Sequence, residues 1–188
     1  MSAQHKNQVR IIGGQYKRRI LKFPDSLALR PTPDRVRETL FNWLGQDCTG
    51  MVCLDLFSGS GALGFEAASR NASKVVMVEA AKAVVAALKS NQSLLKADNI
   101  DVVWSDAERY LKTCQDKFDL VLLDPPFASP LLGQILPQLE HFLSADAQVY
   151  IECAELPDLS RWEIVRQGKA GTVHYALLNP KDKIASYG

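Results

Sequence analysis

The sequence predicts an α/β chain in which a parallel sheet carries helices on both faces. Three observations point there. Apolar, strand-like runs alternate with helical segments from Met51 onward. A glycine-bearing segment, Asp55-Leu56-Phe57-Ser58-Gly59-Ser60-Gly61-Ala62-Leu63-Gly64, separates one such strand from a helix. A second short segment, Asp124-Pro125-Pro126-Phe127, follows another apolar strand 69 residues later. Alternation of this kind implies right-handed βαβ crossovers. In an open parallel sheet, ligands bind beyond the carboxyl ends of the strands, where both segments would lie.

The elements follow in order. Val9–Ile12 and Arg19–Phe23 are strand-like, and Gly13-Gly14 between them can supply positive φ, so a β-hairpin is expected with Lys17-Arg18-Arg19 at its tip. Pro24 to Pro33 reads as loop. A helix then begins near Pro33, with Asp34 at its positive end and Val36, Leu40, Trp43 and Leu44 on one stripe, and Gly45 stops it. Strands are expected at Met51–Leu56, Lys74–Val78, Ile100–Trp104, Phe118–Leu123 and Gln148–Cys153. Helices are expected at Ala62–Arg70, Ala81–Leu95, Ala107–Thr113 and Pro130–Phe142, the last kinked or split by Pro137. Trp162–Arg166 and Thr172–Leu178, joined through Gly168–Gly171, read as a terminal antiparallel hairpin. A division into 1–45, a basic hairpin and helix, and 46–188, the nucleoside-binding body, is expected, the two folding as one unit.

A chain of 188 residues with 47% apolar and 23% charged residues has the composition of a soluble domain with one sizeable core. No run reaches the roughly 18 apolar residues of a membrane span, and the start is polar, so a cytoplasmic protein is expected. Cys48, Cys53, Cys114 and Cys153 form no C-x-x-C pair, and His5, His141 and His174 have no partner at ligand spacing. No metal is expected. The net charge of +1 hides an asymmetry: the first 37 residues hold nine Lys or Arg against two Asp, and the rest is mildly acidic. That pattern fits a basic arm on phosphate. Its hairpin reads as too basic to pack onto an apolar core. Arg10, Lys17, Arg18 and Arg19 are the candidate phosphate contacts.

The glycine segment supports a nucleoside cofactor. Gly59, Gly61 and Gly64 have the G-x-G-x-x-G spacing, but the strand ends further upstream than a dinucleotide fingerprint requires. An S-adenosylmethionine site uses Ser58, Gly59 and Gly61 to let the methionine moiety approach the backbone. Asp55 would lie near its ammonium group. Glu79, 20 residues after Gly59 at the next strand end, can accept from both ribose hydroxyls, and Asp106 can accept from the adenine amine. NAD is the rival cofactor, and Asp-Pro-Pro-Phe argues against it. An exocyclic base amine is a weak nucleophile because its lone pair is delocalised. The Asp124 carboxylate and the Pro125 carbonyl can each accept one N–H and leave the lone pair aimed at a methyl donor. Proline offers no N–H of its own, and Phe127 presents a flat face for base stacking.

The body resembles class I S-adenosylmethionine-dependent methyltransferases, with Asp124–Phe127 matching the amino-methyltransferase motif. Arg10-Ile11-Ile12-Gly13-Gly14 and Arg30-Pro31-Thr32-Pro33-Asp34-Arg35-Val36-Arg37-Glu38-Thr39-Leu40-Phe41-Asn42-Trp43-Leu44 resemble the RsmD family of bacterial methyltransferases acting on the guanine N2 of small-subunit ribosomal RNA. The resemblance spans about Val9 to Pro180. It implies a Rossmann-like, seven-stranded, mostly parallel sheet whose last strand is antiparallel. It implies S-adenosylmethionine as cofactor and, as substrate, ribosomal RNA in an assembled or partly assembled small subunit, acted on by a monomer. It places Thr32, Arg35 and Arg37 near the active site, touching the cofactor carboxylate or, with Arg30, an RNA phosphate. The alternatives are methylation of another amine, in DNA adenine, other RNA or protein glutamine, and a catalytically silent RNA-binding assembly factor. Glutamine enzymes usually carry Asn before Pro-Pro. DNA enzymes usually add a recognition domain that 188 residues do not accommodate.

Overall fold

A computed structural model describes residues 7–25 and 29–181. His5, Lys6 and the middle of the loop after Pro24 lie outside the described residues. A short hairpin, β1 (Gln8–Arg10) and β2 (Ile20–Lys22), precedes α1 (Asp34–Trp43). Then come β3 (Val52–Asp55), α2 (Ala62–Ser69), β4 (Lys74–Glu79), α3 (Lys82–Leu95), β5 (Ile100–Trp104), α4 (Ala107–Thr113) and β6 (Phe118–Leu123). The segment after β6 divides, as Pro137 suggests, into α5 (Leu131–Ile135) and a 3-10 turn over Leu136–Phe142. The chain closes with β7 (Leu143–Cys153), β8 (Trp162–Ala170) and β9 (Val173–Pro180).

The seven-stranded sheet has the order β5-β4-β3-β6-β7-β9-β8. Strands β3 to β7 are parallel, and β9 lies antiparallel between β7 and β8. This is the expected sheet. The order reverses between β3 and β6, which are hydrogen-bonded neighbours with Asp55 level with Leu122. A crevice opens at such a reversal, so the ends of β3 and β6, distant in sequence, share one site. The inner parallel strands β3, β4 and β6 are buried on both faces. Alternate residues go to a core with α1, α2, α3 and the hairpin, or to one with α4, α5 and the 3-10 turn.

Helix α2 explains part of the architecture. All eight of its residues are buried, which an isolated surface helix would not show. It lies between the sheet and the N-terminal segment. The expectation that the hairpin is too basic to pack is overturned: Val9, Ile11, Leu21 and Phe23 are core residues. A two-stranded hairpin is marginal on its own. Burying these four side chains, at about 1.5–3 kcal/mol each, supplies what it lacks, while its charges stay on the outer face. The link between its strands is longer than a two-glycine turn. Ile11 and Arg18 close it, with the Arg18 N–H donating to the Ile11 carbonyl at 2.8 Å. Gly14 is needed for contact: a Cβ there would sit 1.9 Å from the Ser69 carbonyl oxygen.

Asp34 lies in the first turn of α1, at its positive end as expected, and pairs there with Arg37. One local expectation changes. The terminal hairpin turns later than expected, because Gly168 stays in β8 opposite Tyr175 and the turn falls at Gly171. A Cβ on Gly168 would meet the Tyr175 ring at 2.4 Å.

Candidate active site

Strand β3 ends at Asp55, and the chain enters a tight loop. Gly59 and Gly61 both take positive φ, 50° and 82°, and Gly61 starts α2 from the left-handed region. The Ser58 hydroxyl turns inward to the Asp55 carbonyl at 2.9 Å. It therefore holds the loop's shape, and what Ser58 offers a ligand is backbone. The Asp55 side chain accepts the Gly64 N–H at 3.0 Å. That approach leaves no room at residue 64, where a Cβ would lie 2.9 Å from the carboxylate. Burial, opposed by this hydrogen bond and reinforced by the charges of Glu79 and Glu152, lifts the Asp55 carboxyl to about 7.

Glu79 ends β4 and braces the same loop. One of its oxygens accepts the Gly59 N–H at 2.9 Å and the other the Ala81 N–H at 3.0 Å. Each retains a lone pair, so the carboxylate can accept further hydroxyls. Asp106 is exposed after β5, where it caps α4 by accepting the Arg109 N–H at 2.8 Å. Beside Glu79, Trp104 is level with it across β4 and β5. Its indole is 61% exposed and donates to the Ala80 carbonyl at 2.9 Å. Sequence reading passed over this flat surface because a terminal strand tryptophan is commonly core.

Beyond β6, Asp124 faces Glu152 at the end of β7, with Thr32 between them. The Thr32 hydroxyl lies 2.8 Å from Glu152 Oε1 and 3.4 Å from Asp124 Oδ2. The Tyr150 hydroxyl donates to the same Glu152 oxygen at 2.8 Å. Burial first, then the charges of Glu152 and Asp55, push the Asp124 carboxyl well above its ordinary value against the Thr32 bond. Burial also raises Glu152, while its two donors oppose the rise. Pro125 is half-buried, and Phe127 stands 72% exposed with its ring available. Glu152 and Tyr150 were missed from sequence. The signal was present, because Glu152 follows Val149–Ile151 as Asp55, Glu79 and Asp124 follow their own strands.

The N-terminal candidates divide. Thr32 belongs to the carboxyl cluster and is buried. Arg37 is corrected: at 0% exposure it reaches neither RNA nor cofactor. Its guanidinium donates to the Thr32 carbonyl at 3.1 Å, the Arg10 carbonyl at 3.0 Å and Glu66 at 3.2 Å. Burying an arginine requires such complete pairing. Arg10, Arg30 and Arg35 are exposed, as are Lys17 and Arg18. Arg19 donates to the Leu94 carbonyl at 3.0 Å and so pins the hairpin link to the end of α3. The basic tip therefore lies against α3, apart from the carboxyl cluster. Among the described residues no three His, Cys, Asp or Glu side chains gather at a metal site, and no helix is long and apolar enough to cross a membrane.

The family model described as conserved hypothetical protein 95 matches residues 9–179. Ribosomal RNA small subunit methyltransferase D of Escherichia coli is 44% identical over 176 residues, covering 90% of this chain and 89% of the relative. The protein of that name in Haemophilus influenzae is 40% identical over 181 residues, with 92% and 94% covered. Among solved structures, the "putative methyltransferase" of Escherichia coli superposes with a TM-score of 0.84 at 43% identity, over 92% of this chain and 98% of that one. An RNA methyltransferase from Salinibacter ruber, in complex with S-adenosyl-L-homocysteine, shares the fold at a TM-score of 0.64 and 22% identity, over 81% and 95%. Matched over residues 9–179 and 40–44% identical to these two relatives, the chain belongs to the conserved hypothetical protein 95 family, that of the RsmD methyltransferases.

Proposed function

We propose that this protein transfers the methyl group of S-adenosylmethionine to the exocyclic N2 amine of a guanine in small-subunit ribosomal RNA. One observation carries the reading: the end of β3, with its glycine loop, and the end of β6, with Asp124-Pro125-Pro126-Phe127, are neighbours at the reversal of the sheet. A cofactor held by the first faces an amine held by the second. The names of the relatives from Escherichia coli and Haemophilus influenzae support ribosomal RNA as the class of substrate.

The residues fit the cofactor. Among the described residues only Leu29 lies within 4 Å of a Cβ built on Gly59, so the loop leaves that backbone open. Asp55 supplies a carboxyl near the ammonium group, Glu79 acceptors for the ribose, Asp106 an acceptor for the adenine amine, and Trp104 a flat face beside Glu79. The bound cofactor supplies an electrophilic methyl on a sulfonium. Asp124 and the Pro125 carbonyl each accept one N–H of the guanine amine, which directs its lone pair outward. Phe127 stacks on the base, a contact worth about 1–3 kcal/mol. Holding the amine in line replaces a search through orientations with a fixed geometry. Lys17, Arg18 and Arg19, with Arg10, Arg30 and Arg35, take RNA phosphates. An assembled or partly assembled subunit in the bacterial cytoplasm is the setting, and a monomer the acting form.

The test is transfer of tritiated methyl to undermethylated small subunits, naked ribosomal RNA and duplex DNA side by side, followed by nuclease digestion. Label in N2-methylguanine from the subunit or its RNA is expected. Label in DNA adenine, or none in any substrate, would overturn the reading.

A further inference from the structure

The Asp124–Thr32–Glu152 cluster places two carboxyl groups on one hydroxyl that has a single proton to give. Thr32 is 2.8 Å from Glu152 and 3.4 Å from Asp124. Glu152 also receives the Tyr150 O–H at 2.8 Å, on the same oxygen. The donors are thus unequally shared. Among the described residues Glu152 has two close ones, and Asp124 has one long contact. The groups around the pair are Asp55 from the end of β3, Tyr150 beside Glu152 on β7, Tyr175 from β9, and Thr32 itself, whose carbonyl is held by Arg37. Among the described residues neither carboxyl has a basic ion-pair partner. Two like charges this close, in a buried setting, cannot both be held cheaply.

Resting on the reading of Asp124 as the residue that orients the amine, we propose that Glu152 is a positioning residue that acts on Asp124 through Thr32. The pair holds one proton, which stays on Asp124 in the cofactor-free site because Glu152 takes the hydroxyl donors. A cation arriving in front of Asp124 stabilises its ionised form, and the proton leaves to water. Asp124 then becomes the acceptor the amine needs only when a methyl donor is in place. The upward displacement of both carboxyls agrees with this division, as does the opposing effect of two hydrogen bonds on Glu152.

The sulfonium distinguishes S-adenosylmethionine from S-adenosylhomocysteine, while both carry the same ammonium and nucleoside. Calorimetric titration of the wild-type protein with each, in two neutral buffers of different ionisation enthalpy, counts protons released on binding. S-adenosylmethionine should release up to about one proton more than the homocysteine form. Glu152→Gln should abolish that difference, because Asp124 is then ionised before the ligand arrives, and should move the acid limb of the kcat/KM profile to lower pH. Glu152→Asp, which keeps the carboxyl, should retain the difference. Equal proton counts for the two ligands in the wild type, or an unchanged difference in Glu152→Gln, would overturn the proposal. If Glu152→Gln does not fold, the wild-type comparison and Glu152→Asp decide it alone. Failure of the wild type to bind either ligand would overturn the cofactor reading itself and this pair with it. Binding with equal counts would leave that reading intact and remove only the role of Glu152.

Discussion

Arg37 and Glu66 meet at 3.2 Å with neither side chain open to water. Glu66 also accepts the N–H groups of Ile12 and Gly13, each at 2.9 Å, and pairs with Arg70 at 3.0 Å. One carboxylate thus joins the hairpin link, α1 and α2. Removing one member of a buried pair strands the other. Arg37→Ala should therefore cost about 3 kcal/mol of stability, and urea denaturation would measure it. A loss below about 1 kcal/mol, the ceiling for most exposed pairs, would mean that water enters to replace the guanidinium.

Asp124→Ala should leave the fold and S-adenosylhomocysteine affinity nearly unchanged while lowering turnover by at least ~100-fold, because alignment is lost and nucleoside binding is not. Single-turnover methylation beside calorimetry separates the two effects. Near-normal turnover would remove Asp124 from the orienting role.

Glu79→Ala should weaken S-adenosylmethionine by about 1.5–3 kcal/mol, the range for hydrogen bonds to a charged group. Part of that loss arises from the freed Gly59 amide, which Glu79 holds at 2.9 Å. Unchanged affinity in a titration would place the ribose elsewhere.

Asp55 makes a prediction about pH. Its carboxyl rises to about 7 in the folded state from an ordinary 3.8. The folded protein therefore holds this proton more tightly than the unfolded chain does. The stabilisation is complete below the unfolded value and is lost as pH rises between 3.8 and about 7. Asp124 and Glu152, also raised, act in the same direction. Asp55→Asn keeps an acceptor for Gly64 and removes the titration. Stability measured by urea from pH ~5 to ~8 should fall more steeply in the wild type than in this variant. Parallel curves would show that Asp55 is ionised throughout.

Lys17→Ala combined with Arg18→Asn should leave thermal stability almost unchanged, since both residues are exposed and asparagine tolerates the φ of 71° at residue 18. RNA affinity should fall, with the salt slope flattening by about 1.4–1.8 units for two lost phosphate contacts. A slope equal to wild type would shift the phosphate contacts to Arg30 and Arg35.

Much of this was legible in the sequence, for identifiable reasons. Val75–Val78 and Leu120–Leu123 are apolar throughout because parallel strands are covered on both faces, and strands β4 and β6 lie there. Pro137 announced the break after Ile135. The fate of charged residues was less legible. Arg35 and Arg37 look alike in the sequence, yet one is exposed and the other fully enclosed. What separates them is Glu66, 29 positions away on another helix, and no local pattern reports that partner. The same holds for Thr32, which helix-start reasoning treats as a boundary residue. Its hydroxyl instead meets Glu152, 120 positions on.

The seating of the hairpin bears on how such proteins can be rebuilt. Engineers often retarget enzymes that act on nucleic acids by exchanging a terminal recognition module. Here Glu66 holds the hairpin link by its backbone N–H groups, and Ser69 approaches Gly14 closely enough to exclude any side chain. The segment is a wall of the enzyme as much as a handle for RNA. Transplanting a relative's first 45 residues would require transplanting the inner face of α2 with them.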